Sequence, residues 1–173
     1  PKLAELPPGT ALEITYNGTT IHALITDLCP SSENSKWTSK SSYFFDLAKN
    51  AFTKLADEKL GVIDVTFKTI PYPTKSNIFF QAKDGIVETW LAGRFYNMRY
   101  PLKKVEISID GSAYKQMAQI ASENNWYKVD GQNLISGKKK FRLTDIHGQV
   151  IETSEISYVS SMEKYNCGKN FEY

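Results

Sequence analysis

Tight-turn dipeptides punctuate this chain, and they constrain its fold more than any other feature. Asn17-Gly18 separates two segments, 11–16 and 20–28, in which apolar and polar residues alternate. Asn-Gly favours the two-residue turn of a β-hairpin, and alternation with a period of two is typical of a strand. We therefore predict a hairpin here. Asn17-Gly18-Thr19 is also an acceptor motif for N-glycosylation, but the hairpin turn explains the same residues more directly.

Similar turn signals divide the second half of the chain into short segments. Asp84-Gly85, Asp110-Gly111, Asp130-Gly131 and His147-Gly148 separate predicted strands at 77–83, 89–98, 104–110, 125–129, 138–145 and 149–157. Short strands with turns at this spacing are typical of an antiparallel β-sandwich. The segment 113–122 is ambiguous, because it tolerates a helix but is short.

A different pattern lies between the hairpin and the second half. Apolar residues at helical spacing predict one helix over 46–57, and alternation predicts a strand over 62–70. Pro71 and Pro73 then favour an extended linker at 74–76, because proline fixes φ and has no N–H to donate. We predict a first domain at 1–73 and a second at 77–173. The polar loop 29–42, which contains Trp37, is long enough to be functional.

Composition and charge exclude several classes of protein. Hydrophobic residues are 41% of the 173 residues, enough for one domain or two small ones, and no apolar run reaches the roughly 18 residues of a membrane span. The net charge of +2 is too small and too dispersed for a nucleic-acid binder. Residues 74–173 carry fourteen Lys and Arg against eleven Asp and Glu. A basic second half suits an acidic or neutral polymer.

The cysteines and histidines do not predict a metal site, and no cofactor is expected. Cys29 and Cys167 lie far apart, and His22 and His147 have no ligand spacing, whereas structural zinc needs four ligands. A Cys29–Cys167 disulfide, a bond from Cys29 to another segment and two free thiols all remain open.

Two acids in the first half are candidates for site chemistry. Asp27 follows the second predicted strand, and Asp46 follows Phe44 and Phe45 at the predicted helix start. An alternative role for Asp46 is an N-terminal helix cap, worth about 1 kcal/mol. Glycoside hydrolysis needs two carboxylates at a set separation, so one acid does not suffice for that reaction.

The predicted strand around Trp90 suggests a binding face in the second half. If Leu91 and Phe95 face the core, the period of two puts Trp90, Arg94 and Tyr96 on the opposite face. Exposed rings on a flat sheet suit a polysaccharide, whose sugar faces pack on aromatic faces. The alternative is that Trp90 fills the core. The same two alternatives apply to Trp126 and Tyr127.

Taken together, these motifs resemble those of expansins. In the first half they are Thr26-Asp27-Leu28-Cys29-Pro30, Phe45-Asp46-Leu47, Asn50-Ala51-Phe52 and Gly61-Val62-Ile63, and in the second they are Trp90, Asn97, Tyr100-Pro101, Asp110-Gly111 and Arg142-Leu143-Thr144-Asp145. The resemblance implies a mainly β protein: a double-psi β-barrel related to family 45 endoglucanases, followed by an immunoglobulin-like antiparallel β-sandwich. It also implies that the N-terminal part of the barrel would precede Pro1.

The resemblance assigns roles to individual residues. Asp46 matches the acid of the barrel groove, with Asp27 and Thr26 as its polar neighbours. Lys83 and Trp90 match the binding face of the sandwich, and Trp126 or Tyr127 lies near a third aromatic of that face. Trp37 is a further candidate for polysaccharide binding.

The function implied is non-hydrolytic loosening of plant cell walls by a secreted, extracellular, monomeric protein. Its partners would be cellulose, other wall glucans or xylans and, as a further candidate, acidic pectin, with no nucleic acid and no membrane. The alternatives are a family-45-like endoglucanase, a lytic transglycosylase that shares the barrel, and an adhesin-like sandwich without loosening activity.

Overall fold

The computed structural model describes residues 6–27, 43–120 and 125–173. The chain divides into two compact units, Pro1–Pro71 and Tyr72–Tyr173. Trp37 and Cys29 lie outside the described residues, so the prediction for Trp37 stays a prediction. In the described parts of the chain no helix is long and apolar enough to cross a membrane.

The first unit begins with the predicted hairpin. Strands β1 (Ala11–Tyr16) and β2 (Thr19–Leu24) pair antiparallel, with Tyr16 opposite Thr19. Asn17 and Gly18 form the turn between them with φ of 47° and 81°, values that asparagine and glycine tolerate. Strand β3 (Thr66–Ile70) pairs with the other edge of β1, giving a three-stranded sheet in the order β2-β1-β3.

Helix α1 spans Lys49–Leu55 and is shorter than the predicted 46–57. Its N-cap is Ala48, which has ψ of 140° and makes no side-chain cap hydrogen bond. Asp46 therefore lies before the helix and does not cap it. After the helix ends, the Asp57 side chain accepts a hydrogen bond of 2.9 Å from the Lys59 N–H at the start of a 3-10 helix, Glu58–Leu60.

The core of the first unit is small and rich in rings. Leu12, Ile14 and Leu55 are buried between the sheet and the helix. Beside them the Phe67 ring on β3 meets Tyr43 and Phe45 edge to face, with centroids 5.0 and 4.9 Å away. This ring cluster holds the segment before α1 against the sheet, and so places Asp46.

The second unit is an antiparallel sandwich of two sheets. Its strands are β4 (Phe79–Ala82), β5 (Trp90–Tyr96), β6 (Leu102–Ile109), β7 (Lys115–Gln116), β8 (Ala118–Gln119), β9 (Trp126–Asp130), β10 (Lys139–Asp145), β11 (Val150–Glu152) and β12 (Lys164–Asn166). One sheet has the order β11-β10-β6-β7 and the other β12-β4-β5-β9-β8. The prediction of a mainly β, antiparallel fold is confirmed. Strand β12 was not predicted, and the ambiguous segment 113–122 contains β7 and β8.

Aromatic packing joins the two sheets. Phe80 and Phe95 from the five-stranded sheet meet Phe141 from the four-stranded sheet, with centroids 4.6 and 5.2 Å from it, and all three are fully buried. Gly93 makes this packing possible, because a Cβ there would lie 2.2 Å from the Phe80 ring. The inward faces of β4 and β5 are thereby settled, and the residues between these positions point outward.

Cys167 is a free thiol buried in the sandwich core. Burial disfavours the thiolate and raises the pKa of this thiol to about 12. Of the alternatives left open for the cysteines, a free Cys167 is what the structure shows, whereas Cys29 lies outside the described residues.

Candidate functional site

A cavity of about 630 Å³ opens on the first unit, close to Asp46. Rings and carboxylates share its lining. Its aromatic residues are Tyr43, Phe44, Phe45, Phe52 and Phe67, and its acids are Asp46, Glu58 and Asp64. Lys49 also lines it and pairs with Glu58 at 2.6 Å. A groove with apolar walls and a few polar groups is typical of a ligand site.

The predicted groove residues are only partly brought together. Asp46 is exposed and lines the cavity. Thr26 and Asp27 are exposed just beyond β2, and neither is among the described residues that line the cavity. Asp64 and Glu58, which were not predicted, do line it. Both come from the segment between α1 and β3. The sequence pattern did not identify them, because periodicity predicts helices and strands but does not predict which connecting residues line a cavity.

The second unit presents a candidate binding face on the five-stranded sheet. Gln81 lies opposite Arg94, which in turn lies opposite Trp126, while Lys164 lies opposite Gln81. Residues directly opposite each other in antiparallel strands point to the same side. One row of side chains therefore crosses β12, β4, β5 and β9 on the face away from the core.

The basic side chains of this face lie against its rings. The Arg94 guanidinium carbon is 4.7 Å from the centroid of the Tyr96 ring and 4.8 Å from that of Trp126. Lys83 Nζ lies 4.6 Å from the Trp126 centroid, and Lys164 Nζ lies 5.2 Å from that of Tyr96. These are cation–π distances. We call Lys83, Arg94, Tyr96, Trp126 and Lys164 the ring–cation face.

Gln81 holds two members of the ring–cation face in place. Its side-chain oxygen accepts hydrogen bonds from Arg94 Nε at 3.3 Å, from Arg94 Nη2 at 3.2 Å and from the Tyr96 hydroxyl. Its amide donates to the Met162 carbonyl at 3.0 Å, and the residue is buried. A ring and a guanidinium that share one fixed acceptor keep their geometry before any ligand arrives, which lowers the entropy cost of binding.

Trp90 takes an intermediate position. It is the first residue of β5, half-buried, and its ring packs against the sandwich core from the margin. The period of two still places it on the same face as Arg94, as the sequence predicted. The register sets it opposite Asp130, four residue pairs along from the pair of Arg94 with Trp126. Trp90 is therefore neither a fully exposed residue nor a core residue. Because it lies at the end of β5, its ring covers both the edge of the core and part of the outer face of the sheet.

The structure resolves the choice between Trp126 and Tyr127. Trp126 points to the outer face, whereas Tyr127 is 8% exposed and lies in the core with its ring 6.3 Å from that of Phe95. Burial raises the pKa of the Tyr127 hydroxyl to about 12. Tyr127 is therefore removed from the candidate binding residues, because a buried ring cannot stack on a ligand.

Sequence reasoning missed three contributors to this face. The alternation of side chains along the strand predicted that Tyr96 points outward, but Tyr96 was not assigned to the binding site. Gln81 and Lys164 carried no local signal, because their roles depend on the pairing of β4 with β12, strands more than 80 residues apart.

Fold and sites together define a class: a mainly β protein of two units, in which an antiparallel sandwich displays rings and cations on one sheet and the other unit carries an acidic, aromatic cavity. Within that class the chain is similar in sequence to expansins and expansin-like proteins. It is 29% identical to expansin-like protein 1 of Dictyostelium discoideum over 90% of this chain and 52% of that protein. It is 30% identical to expansin-YoaJ of Bacillus subtilis over 62% of this chain and 44% of that protein.

The fold is that of a bacterial expansin. The crystal structure of the apo Clavibacter michiganensis expansin matches with a TM-score of 0.79 at 18% identity, covering all of this chain and 80% of that one. A point mutant of the same expansin, crystallised in complex with cellohexaose, matches equally well. No family model matches the chain. The chain spans about half the length of the curated relatives it matches.

Proposed function

We propose that this protein binds cellulose and related wall polysaccharides, and loosens their contacts without cutting them. The observation that carries the proposal is the ring–cation face, set on a fold shared with an expansin crystallised with cellohexaose. Trp126 and Tyr96 offer aromatic faces to the CH faces of sugars, and Lys83 and Arg94 offer donors to their hydroxyls. The protein acts outside the cell as a monomer, on cellulose and on other wall glucans or xylans.

The first unit supplies the loosening activity in this proposal. Asp46 is exposed at a cavity whose walls carry five rings, so a glucan chain can lie against the rings while its hydroxyls donate hydrogen bonds to the carboxylate. Thr26 and Asp27 extend the polar surface of this unit. Trp37 stays a candidate contact that lies outside the described residues.

The test is a comparison of three measurements on the same preparation. We expect adsorption to insoluble cellulose, extension of a clamped, heat-inactivated plant wall strip under constant load, and no release of reducing sugar from amorphous cellulose, xylan or peptidoglycan. Adsorption without extension would leave only the adhesin-like alternative.

One observation favours a second candidate, a family-45-like hydrolase. Hydrolysis of a glycosidic bond needs two carboxylates, and the cavity carries Asp64 and Glu58 beside Asp46. Glu58 is paired with Lys49, so Asp64 is the stronger partner for Asp46. Reducing sugar that accumulates linearly and disappears in both Asp46→Ala and Asp64→Ala would establish this activity and overturn the non-hydrolytic proposal.

A further inference from the structure

We propose that Met162 is a site of reversible oxidation, at which a hydroperoxide converts the thioether to a sulfoxide and thereby weakens the hold of Gln81 on the ring–cation face. The site itself is independent of the proposed function. Its effect on cellulose adsorption rests on that function, since the ring–cation face is the surface proposed to bind cellulose.

Exposure separates Met162 from the other two methionines of the chain. Met162 is 56% exposed, whereas Met98 and Met117 are 5% and 2% exposed and belong to the sandwich core. Oxidation requires contact between the sulfur and the oxidant, so a buried methionine reacts only when the fold opens. A peroxide therefore reaches Met162 first, and the two buried methionines are internal references.

The backbone of Met162 has an unfavourable conformation. Its φ is 64°, and the other non-glycine residues with positive φ in the described ranges are all asparagine or aspartate. Met162 is the third residue of a β-turn that is closed by a hydrogen bond of 3.3 Å from the Glu163 N–H to the Ser160 carbonyl. Positive φ at this position favours Gly or Asn, so a long apolar side chain is strained there.

Hydrogen bonds on both sides of Met162 enforce this conformation. The Gly85 N–H donates to the Ser161 hydroxyl at 3.1 Å, and the Ala82 N–H donates to the Glu163 carbonyl at 3.1 Å. Strain of this kind persists only where the surrounding structure enforces it. The turn is therefore held in one geometry by its neighbours, and a chemical change at Met162 acts on contacts that are already under strain.

Gln81 connects this turn to the ring–cation face. Its side-chain amide donates to the Met162 carbonyl at 3.0 Å, and its side-chain oxygen accepts hydrogen bonds from Arg94 and Tyr96. A thioether sulfur is only a weak acceptor, so it does not compete with the carbonyl for that amide. A sulfoxide oxygen is a polar acceptor on the same residue and does compete. Oxidation therefore loosens Gln81, and with it the positions of Arg94 and Tyr96.

The reaction is a transfer of one oxygen atom from the hydroperoxide to the sulfur. The sulfur lone pair forms an S–O bond to the terminal peroxide oxygen, and the O–O bond breaks. The proton of the transferred oxygen passes to the other oxygen, which leaves as water or an alcohol. The sulfur is oxidised and the hydroperoxide is reduced, so no further reagent is needed. Methionine sulfoxide reductases reverse the modification.

The experiment treats the full chain with hydrogen peroxide and measures sulfoxide at each methionine by peptide mass mapping. We expect Met162 to oxidise at least about ten-fold faster than Met98 and Met117, because these two react only when the fold opens. Adsorption of the oxidised protein to insoluble cellulose should fall about two- to ten-fold, the effect of one typical hydrogen bond, and should recover after reductase treatment. Equal oxidation rates at the three methionines would overturn the assignment of the site.

Met162→Leu removes the exposed sulfur, and Met98→Leu is its matched control. For each variant, adsorption after peroxide treatment is compared with adsorption of the same variant before treatment. We expect no loss in Met162→Leu and the parental loss in Met98→Leu. A parental loss in Met162→Leu would overturn the coupling, because another oxidised group would then cause it. Melting temperatures within a few degrees of the parent establish that each variant is folded.

The side-chain amide resonance of Gln81 gives a measurement that does not involve cellulose. Its absence in Gln81→Leu identifies it in the NMR spectrum. We expect the resonance to shift when the parent is oxidised and to stay in place when Met162→Leu is treated. If the untreated protein does not adsorb to cellulose but the resonance shifts as expected, the proposed function fails and this inference stands. An unshifted resonance in protein oxidised at Met162 would overturn the inference.

Discussion

Gln81 and Arg94 face each other across β4 and β5, and the side-chain oxygen of Gln81 accepts two hydrogen bonds from the Arg94 guanidinium. That oxygen also accepts a hydrogen bond from the Tyr96 hydroxyl. One buried amide thus connects a cation and a ring that both lie on the candidate binding face. The positions of Arg94 and Tyr96 on that face therefore depend on this one side chain.

Gln81→Leu removes the shared acceptor and should weaken adsorption to cellulose. We expect a loss of about 0.5–1.5 kcal/mol, the net contribution of a typical hydrogen bond, because Arg94 and Tyr96 must now be ordered by the ligand. Adsorption isotherms measure it. Gln81→Glu is the companion variant: it keeps an acceptor for Arg94 and Tyr96, so it should retain more of the adsorption than Gln81→Leu does. Unchanged isotherms for both variants would show that the ligand does not use Arg94 or Tyr96.

Trp126→Ala should mainly weaken binding to cellulose, whereas Trp90→Ala should mainly lower the stability of the fold. Trp126 stands on the ring–cation face between Lys83 and Arg94, so its loss should weaken adsorption to cellulose by about 1–3 kcal/mol, a scale borrowed from the stacking of bases on rings. Trp90 also packs on the core, so its loss should mainly lower stability, towards the roughly 3–5 kcal/mol of a buried tryptophan. Isotherms and urea unfolding of both variants test this. A larger binding loss in Trp90→Ala would move the platform to that end of the sheet.

Asp46→Asn should abolish extension of clamped wall strips while cellulose adsorption stays within about two-fold of the parent, a difference of roughly 0.4 kcal/mol. The reason is that Asp46 lies in the first unit, whereas the ring–cation face lies in the second. Asp64 lines the same cavity, so Asp64→Asn serves as the matched variant. We expect this variant still to extend the clamped wall strips. Since Asp46 does not cap α1, its replacement should not lower the melting temperature as a lost cap would. Equal loss of extension in both variants would show a general requirement for negative charge in the cavity.

Stability should decrease at acid pH through Glu106. Hydrogen bonds from Arg142 and Lys104 favour its carboxylate and lower its pKa from 4.5 to about 2. The folded pKa is below the unfolded one, so the contribution is complete above about pH 4.5 and is lost as pH falls towards 2. The shift corresponds to at most about 3 kcal/mol. Urea unfolding between about pH 2 and 6 measures how the free energy of unfolding changes with pH, and we expect this dependence to be weaker in Glu106→Gln.

Glu155→Gln is the control for that measurement. Glu155 pairs with Lys138 at 3.3 Å, but its side chain is 40% exposed, so its removal should change stability by less than about 1 kcal/mol. If the pH dependence of the unfolding free energy is unchanged in Glu106→Gln, other carboxylates cause the loss of stability at acid pH.

Cys167 should be inert to alkylation in the folded protein. The thiol is buried and its pKa is raised to about 12, so the reactive thiolate is scarce and shielded. In a Cys29→Ser background, mass spectrometry after iodoacetamide treatment at about pH 8 should find Cys167 unlabelled in buffer and fully labelled in denaturant. Rapid labelling in buffer would mean that the sheet edge at β12 opens readily.

Local sequence determined the elements of this protein. The hairpin at Asn17-Gly18 and strands β5, β9 and β10 follow from side-chain alternation and turn chemistry, which act between neighbouring residues. The start of α1 did not follow, because the helical spacing of Phe44 to Leu47 is satisfied by packing on β3 instead. Motif order along the whole chain indicated an expansin, although no single motif would have done so.

Only the tertiary structure decided which residues form the candidate sites. Alternation shows that Trp126 and Tyr127 face opposite sides, but it does not show which side faces the core. Tyr127 lies on the same face of its sheet as Phe95, and that face is the core because Phe95 packs on Phe141 of the other sheet. Likewise Lys164 joins the ring–cation face because β12 pairs with β4, and Asp64 joins Asp46 because the chain folds back after α1. The physical reason is common to all of these cases. Sequence periodicity encodes contacts a few residues apart, whereas a binding face is assembled by pairings between distant strands.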